Sequence, residues 1–120
     1  MSYQGKALGA TGESWAERLL KQKKFRILKR NFRTKFGEID ILAGDGKTLV
    51  IVEVKAKTSN FRGAAIEMIT PRKREKLILL AHELMMKYKR DNIRIDVVTV
   101  DDAENEPKIK HHKGIIEFNG

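Results

Sequence analysis

Cysteine is absent from this chain, which excludes disulfides and thiolate metal sites and leaves the redox compartment undetermined. Aromatic residues make up only 7% of the 120 residues, too few for a platform on which single-stranded bases would stack. Long apolar runs are missing: nothing approaches the roughly 20 residues a membrane-spanning helix needs. The opening Met1-Ser2-Tyr3-Gln4-Gly5-Lys6 also lacks the apolar centre of a signal peptide, so a cytoplasmic protein is expected. Negative charge is scarce as well, with 16 acidic against 25 basic residues and a net charge of +9. Such a surplus favours polyanions, nucleic acid ahead of an anionic membrane surface, and no membrane partner is expected.

What is there fits one domain spanning residues 1–120. Residues 1–10 are small and polar and read as flexible. Thr11 or Ser14 is positioned to cap a helix running to about Lys24, with Trp15, Ala16, Leu19 and Leu20 as its apolar stripe. Phe25 to Thr34 reads as a strand, followed by strands over about 36–43 and 48–56. Residues 57–69 have loop chemistry and suggest a short turn or a flap. Thr70-Pro71 is a capping residue followed by proline at the first helical position. The helix it opens is expected to reach about Lys89 on a stripe of Leu77, Leu80, Ala81, Leu84, Met85 and Tyr88. Ile93 to Val100 reads as a strand, 101–107 as an acidic linker, and Ile115 to Phe118 as a short terminal strand. This order implies an α/β fold with a central mixed sheet flanked by helices. The crossover helix predicts that the fourth strand lies parallel to the third through a right-handed connection.

Two acids and a lysine stand where a sheet has no structural use for them. Gly37-Glu38-Ile39-Asp40-Ile41-Leu42 leads through a Gly/Asp turn into Val50-Ile51-Val52-Glu53-Val54-Lys55, an apolar run carrying an acid and a base. Burying such charges costs several kcal/mol each unless a partner charge or a metal compensates them. Asp45-Gly46 is a favoured two-residue hairpin turn. With that turn Gly44 faces Lys47, Asp40 faces Ile51, Glu38 faces Glu53, and Phe36 faces Lys55. Alternation then projects Glu38, Asp40, Glu53 and Lys55 from one face, with Asp40 and Glu53 as diagonal neighbours about 7–8 Å apart. Two carboxylates can close that separation around one divalent ion. A loop one residue longer or shorter would move Asp40 to the other face.

An Asp followed on the next strand by Glu-x-Lys resembles the PD-(D/E)xK nuclease superfamily. The helix carrying Glu13 ahead of it fits the branch that includes archaeal Holliday junction resolvases. More closely, Gly12-Glu13, Phe36-Gly37-Glu38-Ile39-Asp40, Val52-Glu53-Val54-Lys55 and Thr70-Pro71-Arg72-Lys73-Arg74 resemble the small bacterial YraN family, over roughly Gly12 to Val100. The resemblance implies a restriction-endonuclease-like fold and a metal-dependent endonuclease acting on structured or branched DNA, with a homodimer by analogy with the resolvases. It makes Glu13, Asp40 and Glu53 the ligands of Mg²⁺ or Mn²⁺, and Asp40, Glu53 and Lys55 the catalytic set. Ile39 stands where the superfamily has proline, and Ala56-Lys57 where many relatives have Thr-Arg.

Several residues keep two readings at this point. Glu13 near a helix N-terminus would be favoured by the macrodipole even without a metal. Glu38 is either a supporting acid of the site or salt-bridged to a basic residue, and Glu67 is a further acid that the 57–69 loop would bring near. Arg72, Lys73, Arg74 and Lys76 cluster at a helix start, where phosphates are attracted, and are either nucleic-acid contacts or a solvated face. His111-His112 is expected in an exposed tail, since neighbouring strand residues point to opposite faces. The rivals to a nuclease are a nucleic-acid-binding protein that keeps the fold without cleaving, and an assembly factor using its basic face on RNA or an acidic protein.

Overall fold

The computed structural model describes residues 4–57, 63–101 and 106–118, with side chains from residue 12 onward within those ranges. Helix α1 (Gln4–Gln22) leads into β1 (Arg26–Thr34), β2 (Gly37–Asp45) and β3 (Thr48–Ala56). A 3-10 turn (Ala65–Met68), helix α2 (Pro71–Tyr88), β4 (Ile93–Asp101) and β5 (Lys108–Ile116) follow. The five strands form one sheet in the order β1-β2-β3-β4-β5. Only β3 and β4 run parallel; the other neighbours are antiparallel. This is the α/β fold with a mixed sheet between helices that the sequence implies.

The helices cover opposite faces. Ala16 and Leu20 of α1 are buried against Ile41, Ala43, Val50, Val52, Val98 and Val100. Leu77, Leu80, Ala81 and Leu84 of α2 pack on Ile39, Leu42, Leu49, Ile51, Ile95 and Val97. Successive β3 residues thus enter different cores, which is why Leu49 to Val52 are apolar at every position, as a strand covered on both faces must be. Each fully buried Leu or Ile stabilises the fold by about 1.5–3 kcal/mol.

Local chemistry sets the element ends. The Thr70 hydroxyl accepts the Lys73 N–H at 3.1 Å with Pro71 in the first turn, as the sequence predicts. The helix ends at Tyr88, because Lys89 takes the left-handed conformation (φ 51°) and returns its N–H to the Met85 carbonyl. Tyr88 stays exposed rather than joining the stripe. At the other end of the chain α1 already begins at Gln4, so Thr11 and Ser14 lie inside the helix and not at its N-terminus. Of residues 1–10, those from Gln4 onward belong to α1, and residues 1–3 lie outside the described residues. Glu13 is therefore well beyond the first turn, where the macrodipole no longer favours it.

The hairpin register also differs from expectation. Asp45 pairs with Thr48, Gly44 with Leu49 and Ile41 with Val52, so the two-residue turn is Gly46-Lys47. Gly46 has φ 61°, the positive value that a turn of type II′ requires at its first central position. The short terminal strand expected at 115–118 is instead the nine-residue β5, ending at Ile116. Of the flap expected at 57–69, residues 58–62 lie outside the described residues and Ala65–Met68 form the 3-10 turn.

Candidate functional site

The β2–β3 ladder stops at Ile41↔Val52, and the next residues of each strand are Asp40 and Glu53. The revised turn shifts every cross-strand partner by two, so parity survives but the partners change. Asp40 comes level with Glu53 rather than Ile51, and Glu38 no longer faces Glu53. Alternation along β2 also slips here: Ile39 and Leu42 both enter the core under α2, while Ile41 enters the one under α1. Level with Asp40 on β1, Asn31 has φ 51°, a left-handed residue that turns the strand locally. Instead of following either face, the Asp40 carboxylate reaches across, its Oδ2 accepting the Val54 N–H at 2.8 Å.

Glu53 lies on the α2 side with only 7% exposure. Its Oε1 is buried and, among the described residues, has no hydrogen-bond partner. The nearest cation, Lys73 Nζ of α2, stands 3.7 Å away, within ion-pairing range but too far for a hydrogen bond. Burial first, then the charge of Asp40 and a shared hydrogen bond with it, push the Glu53 carboxyl up to about 7, against the pull of Lys73 and Lys55. Lys55 follows on the same face of β3, half-buried.

Glu13 approaches from α1. Burial, the charge of Asp40 and that of Glu38 raise its pKa, while a hydrogen bond and the charge of Arg30 oppose them. Arg30 holds its Oε1 at 3.5 Å and Glu17 at 3.3 Å. The three-acid shell of Glu13, Asp40 and Glu53 is therefore not assembled, because Glu13 is engaged by Arg30. Among the described residues no group of three or more His, Asp or Glu side chains converges closely enough to hold an ion. Two carboxylates do converge, and one carries a buried oxygen without a donor. That fits Mg²⁺ or Mn²⁺, which commonly take one or two protein carboxylates and complete their shell with water and substrate phosphate.

The remaining candidates separate. Glu38 is salt-bridged to Arg33 at 3.1 Å, the structural alternative of its two readings. Glu67 accepts the Ala64 N–H at 2.7 Å and so ties down the 3-10 turn. The basic cluster at the start of α2 is divided: Lys73 faces Glu53, and Arg74 is half-buried with its Nε lacking a partner. Arg72 and Lys76 are exposed, and Lys76 joins Arg33, Lys35 and Phe36 in lining a shallow basic groove.

Sequence reasoning missed a second charged cluster. Asp96 of β4 is fully buried and accepts Arg94 Nε at 2.8 Å and Nη2 at 3.0 Å, together with the Gly114 N–H at 2.8 Å. His111 Nε2 lies 2.7 Å from Asp96 Oδ2, the oxygen that Arg94 Nη2 also contacts, and Lys23 Nζ lies 2.9 Å from His111 Nδ1. The two ring nitrogens thus bridge the Asp96 carboxylate and the Lys23 ammonium. Burial pushes the Asp96 carboxyl up, but His111, Arg94 and the Gly114 N–H together outweigh it and hold the pKa below its ordinary value. The exposed tail expected at His111-His112 is thus corrected: the His111 side chain is fully buried, and His112 is half-buried with Nε2 3.1 Å from Thr99 Oγ1. The missed signal was Arg94 and Asp96 two apart within Ile93 to Val98, the same clue that singles out Glu53.

Residues 12–100 match the model of the uncharacterised protein family UPF0102. A UPF0102 protein of Geobacter metallireducens is 39% identical over 120 residues, covering 98% of both chains. One from Anaeromyxobacter dehalogenans is 36% identical over 95% of this chain and 87% of its own. Among solved structures, Pyrococcus furiosus SfsA in complex with Ca²⁺ aligns with a TM-score of 0.42 at 18% identity, over 98% of this chain and 65% of that one. No helix among the described residues is long and apolar enough to cross a membrane.

Proposed function

The chain belongs to the uncharacterised protein family UPF0102, and we propose that it is a metal-dependent endonuclease hydrolysing phosphodiester bonds of structured or branched DNA. The observation that carries this reading is the buried, donor-less Oε1 of Glu53 beside Asp40, in a chain with net charge +9. A pair of acids so placed raises its own proton affinity and has no structural return for that cost. A cation removes the cost.

Asp40 and Glu53 would hold Mg²⁺ or Mn²⁺, and Glu13 would join only by leaving Arg30. The ion, when bound, supplies polarisation of a phosphoryl oxygen and a more acidic water. Lys55, on the Glu53 face, orients the attacking water or neutralises charge that builds on the phosphate. Lys73 compensates Glu53 when no divalent ion is present. Lys76, with Arg33 and Lys35 in the same groove, and the exposed Arg72 make the backbone contacts whose strength falls steeply with salt.

The experiment is cleavage of labelled single-stranded, duplex, flap and four-way-junction DNAs with Mg²⁺ or Mn²⁺, with Lys55→Ala as control. Cleavage of one structure, abolished in the variant while binding persists, is the expected result. Binding without cleavage of any substrate would overturn the nuclease reading in favour of a non-cleaving nucleic-acid-binding protein.

A further inference from the structure

Beyond Lys55 the same sheet face opens into a cavity of about 360 Å³ at the carboxyl ends of β3 and β4. That is within the roughly 300–1,000 Å³ range of small-ligand sites, and the carboxyl ends of strands are where open α/β sheets bind ligands. Lys57, Lys108 and Lys110 line it together with His112, Thr99 and Asp101. Among the described lining residues three ammonium groups stand against one carboxylate, a surplus of two positive charges with His112 neutral. On its floor the Thr99 hydroxyl and His112 Nε2 lie 3.1 Å apart, two polar groups already oriented toward each other. Gly63 and Ala64 form one wall with almost no side chain, so a ligand can approach the backbone there. From Glu53 to Lys57 the chain advances four residues, about 13 Å at strand rise. A short stretch of nucleic-acid backbone spans that distance.

We propose that this cavity is a terminal-phosphate subsite, taking the phosphomonoester end of the nucleic-acid strand presented to Asp40 and Glu53. The proposal rests on the nuclease reading for the strand's course but not for the phosphate itself. Charge selects the ligand: a terminal phosphomonoester carries close to two negative charges at neutral pH, as a phosphorylated side chain does, and matches the surplus. An internal phosphodiester carries one. His112 adds a reporter, because burial, His111 and Lys110 lower its pKa. A dianion seated against it opposes the last two.

The test uses the full chain in EDTA, so that cleavage plays no part. Binding is measured for short oligodeoxynucleotides with a 5′-phosphate, a 3′-phosphate or hydroxyl ends, with the His112 imidazole resonances followed by NMR. One phosphorylated end is expected to bind at least about tenfold tighter than the hydroxyl form. Inorganic phosphate is expected to abolish that preference, and the phosphorylated oligonucleotide, unlike its hydroxyl form, to raise the His112 pKa. The preference is expected to vanish in Lys57→Gln/Lys110→Gln and to persist in Asp40→Asn. Equal affinity for all ends would overturn the subsite, as would a preference that survives the double lysine variant. A chain that shows the preference and cleaves nothing keeps the subsite and loses only the nuclease reading. A chain that cleaves without the preference loses only the subsite.

Discussion

Replacing Glu53 by glutamine keeps the shape of the side chain and removes its charge. In the folded chain the Glu53 carboxyl is pushed up to about 7 from an ordinary 4.5, chiefly by burial and then by Asp40. A carboxyl that binds its proton more tightly folded than unfolded contributes stability that is fully present below about pH 4.5. That contribution is lost as the pH rises through 7, because the unfolded chain has already released the proton. At about 1.4 kcal/mol per unit of pKa, the loss amounts to about 3 kcal/mol by pH 8.5. Glu53→Gln does not suffer it. Urea denaturation in EDTA at about pH 5 and pH 8.5 is the assay, with the difference between wild type and variant as the readout so that other titrating groups cancel. The variant is expected to gain about 3 kcal/mol on the wild type between the two conditions. Saturating Mg²⁺ at the higher pH is then expected to restore the wild type alone, by about 2.7 kcal/mol at a hundredfold excess over Kd. A difference that stays constant with pH would refute the view that Glu53 is a buried acid whose burial Lys73 and Lys55 only partly offset.

Asp96→Asn leaves Arg94 and His111 facing a neutral amide, and a loss of about 3 kcal/mol in urea denaturation at pH 7 is expected for breaking a buried charged cluster. Because the Asp96 pKa is lowered in the fold, its contribution is present above the ordinary value of 3.8 and lost as pH falls through the folded one. The gap between variant and wild type should therefore close in acid. Thr70→Ala removes the acceptor of the Lys73 N–H and should cost about 1 kcal/mol, read from the same denaturation midpoint.

The central strands and the start of α2 were legible because local pattern and tertiary demand agree there. Val50 to Val54 and Ile95 to Val98 are apolar apart from the buried acids Glu53 and Asp96, and Thr70-Pro71 caps its helix unaided. The hairpin turn was misplaced because local propensity favours Asp45-Gly46, whereas Asp45 is kept in the strand pair by an ion pair with Arg94 at 3.1 Å. Arg26 also donates to the Gly46 carbonyl at 3.2 Å. A turn displaced by one residue changes the pairing by two, so the acids stayed neighbours by parity while their partners changed. The strand β5 was hidden by its polarity, since Lys108 to Lys113 carries no apolar alternation. Its histidines are satisfied by Asp96 and Thr99 on β4, partners no local window contains. Lys73 was placed with the basic cluster for the same reason: its facing Glu53 depends on how α2 crosses the sheet.

Why the acids meet at this point follows from the sheet itself. Helices α1 and α2 are separated by two full cores, so residues from both reach one place only where the strands part. The parting comes after Ile41↔Val52, and Asp40 occupies it by taking the Val54 N–H, a donor that the interrupted ladder would otherwise leave unpaired. From there its charge is felt by Glu13 on the α1 side and by Glu53 on the α2 side. The same strand carries Lys55 and then Lys57 to the basic cavity. Negative charge is thus concentrated at one point of a basic surface, with positive charge on both flanks. That pattern is the one the proposed reading requires: a polyanion held along its backbone, with a hard cation between one of its phosphates and the protein.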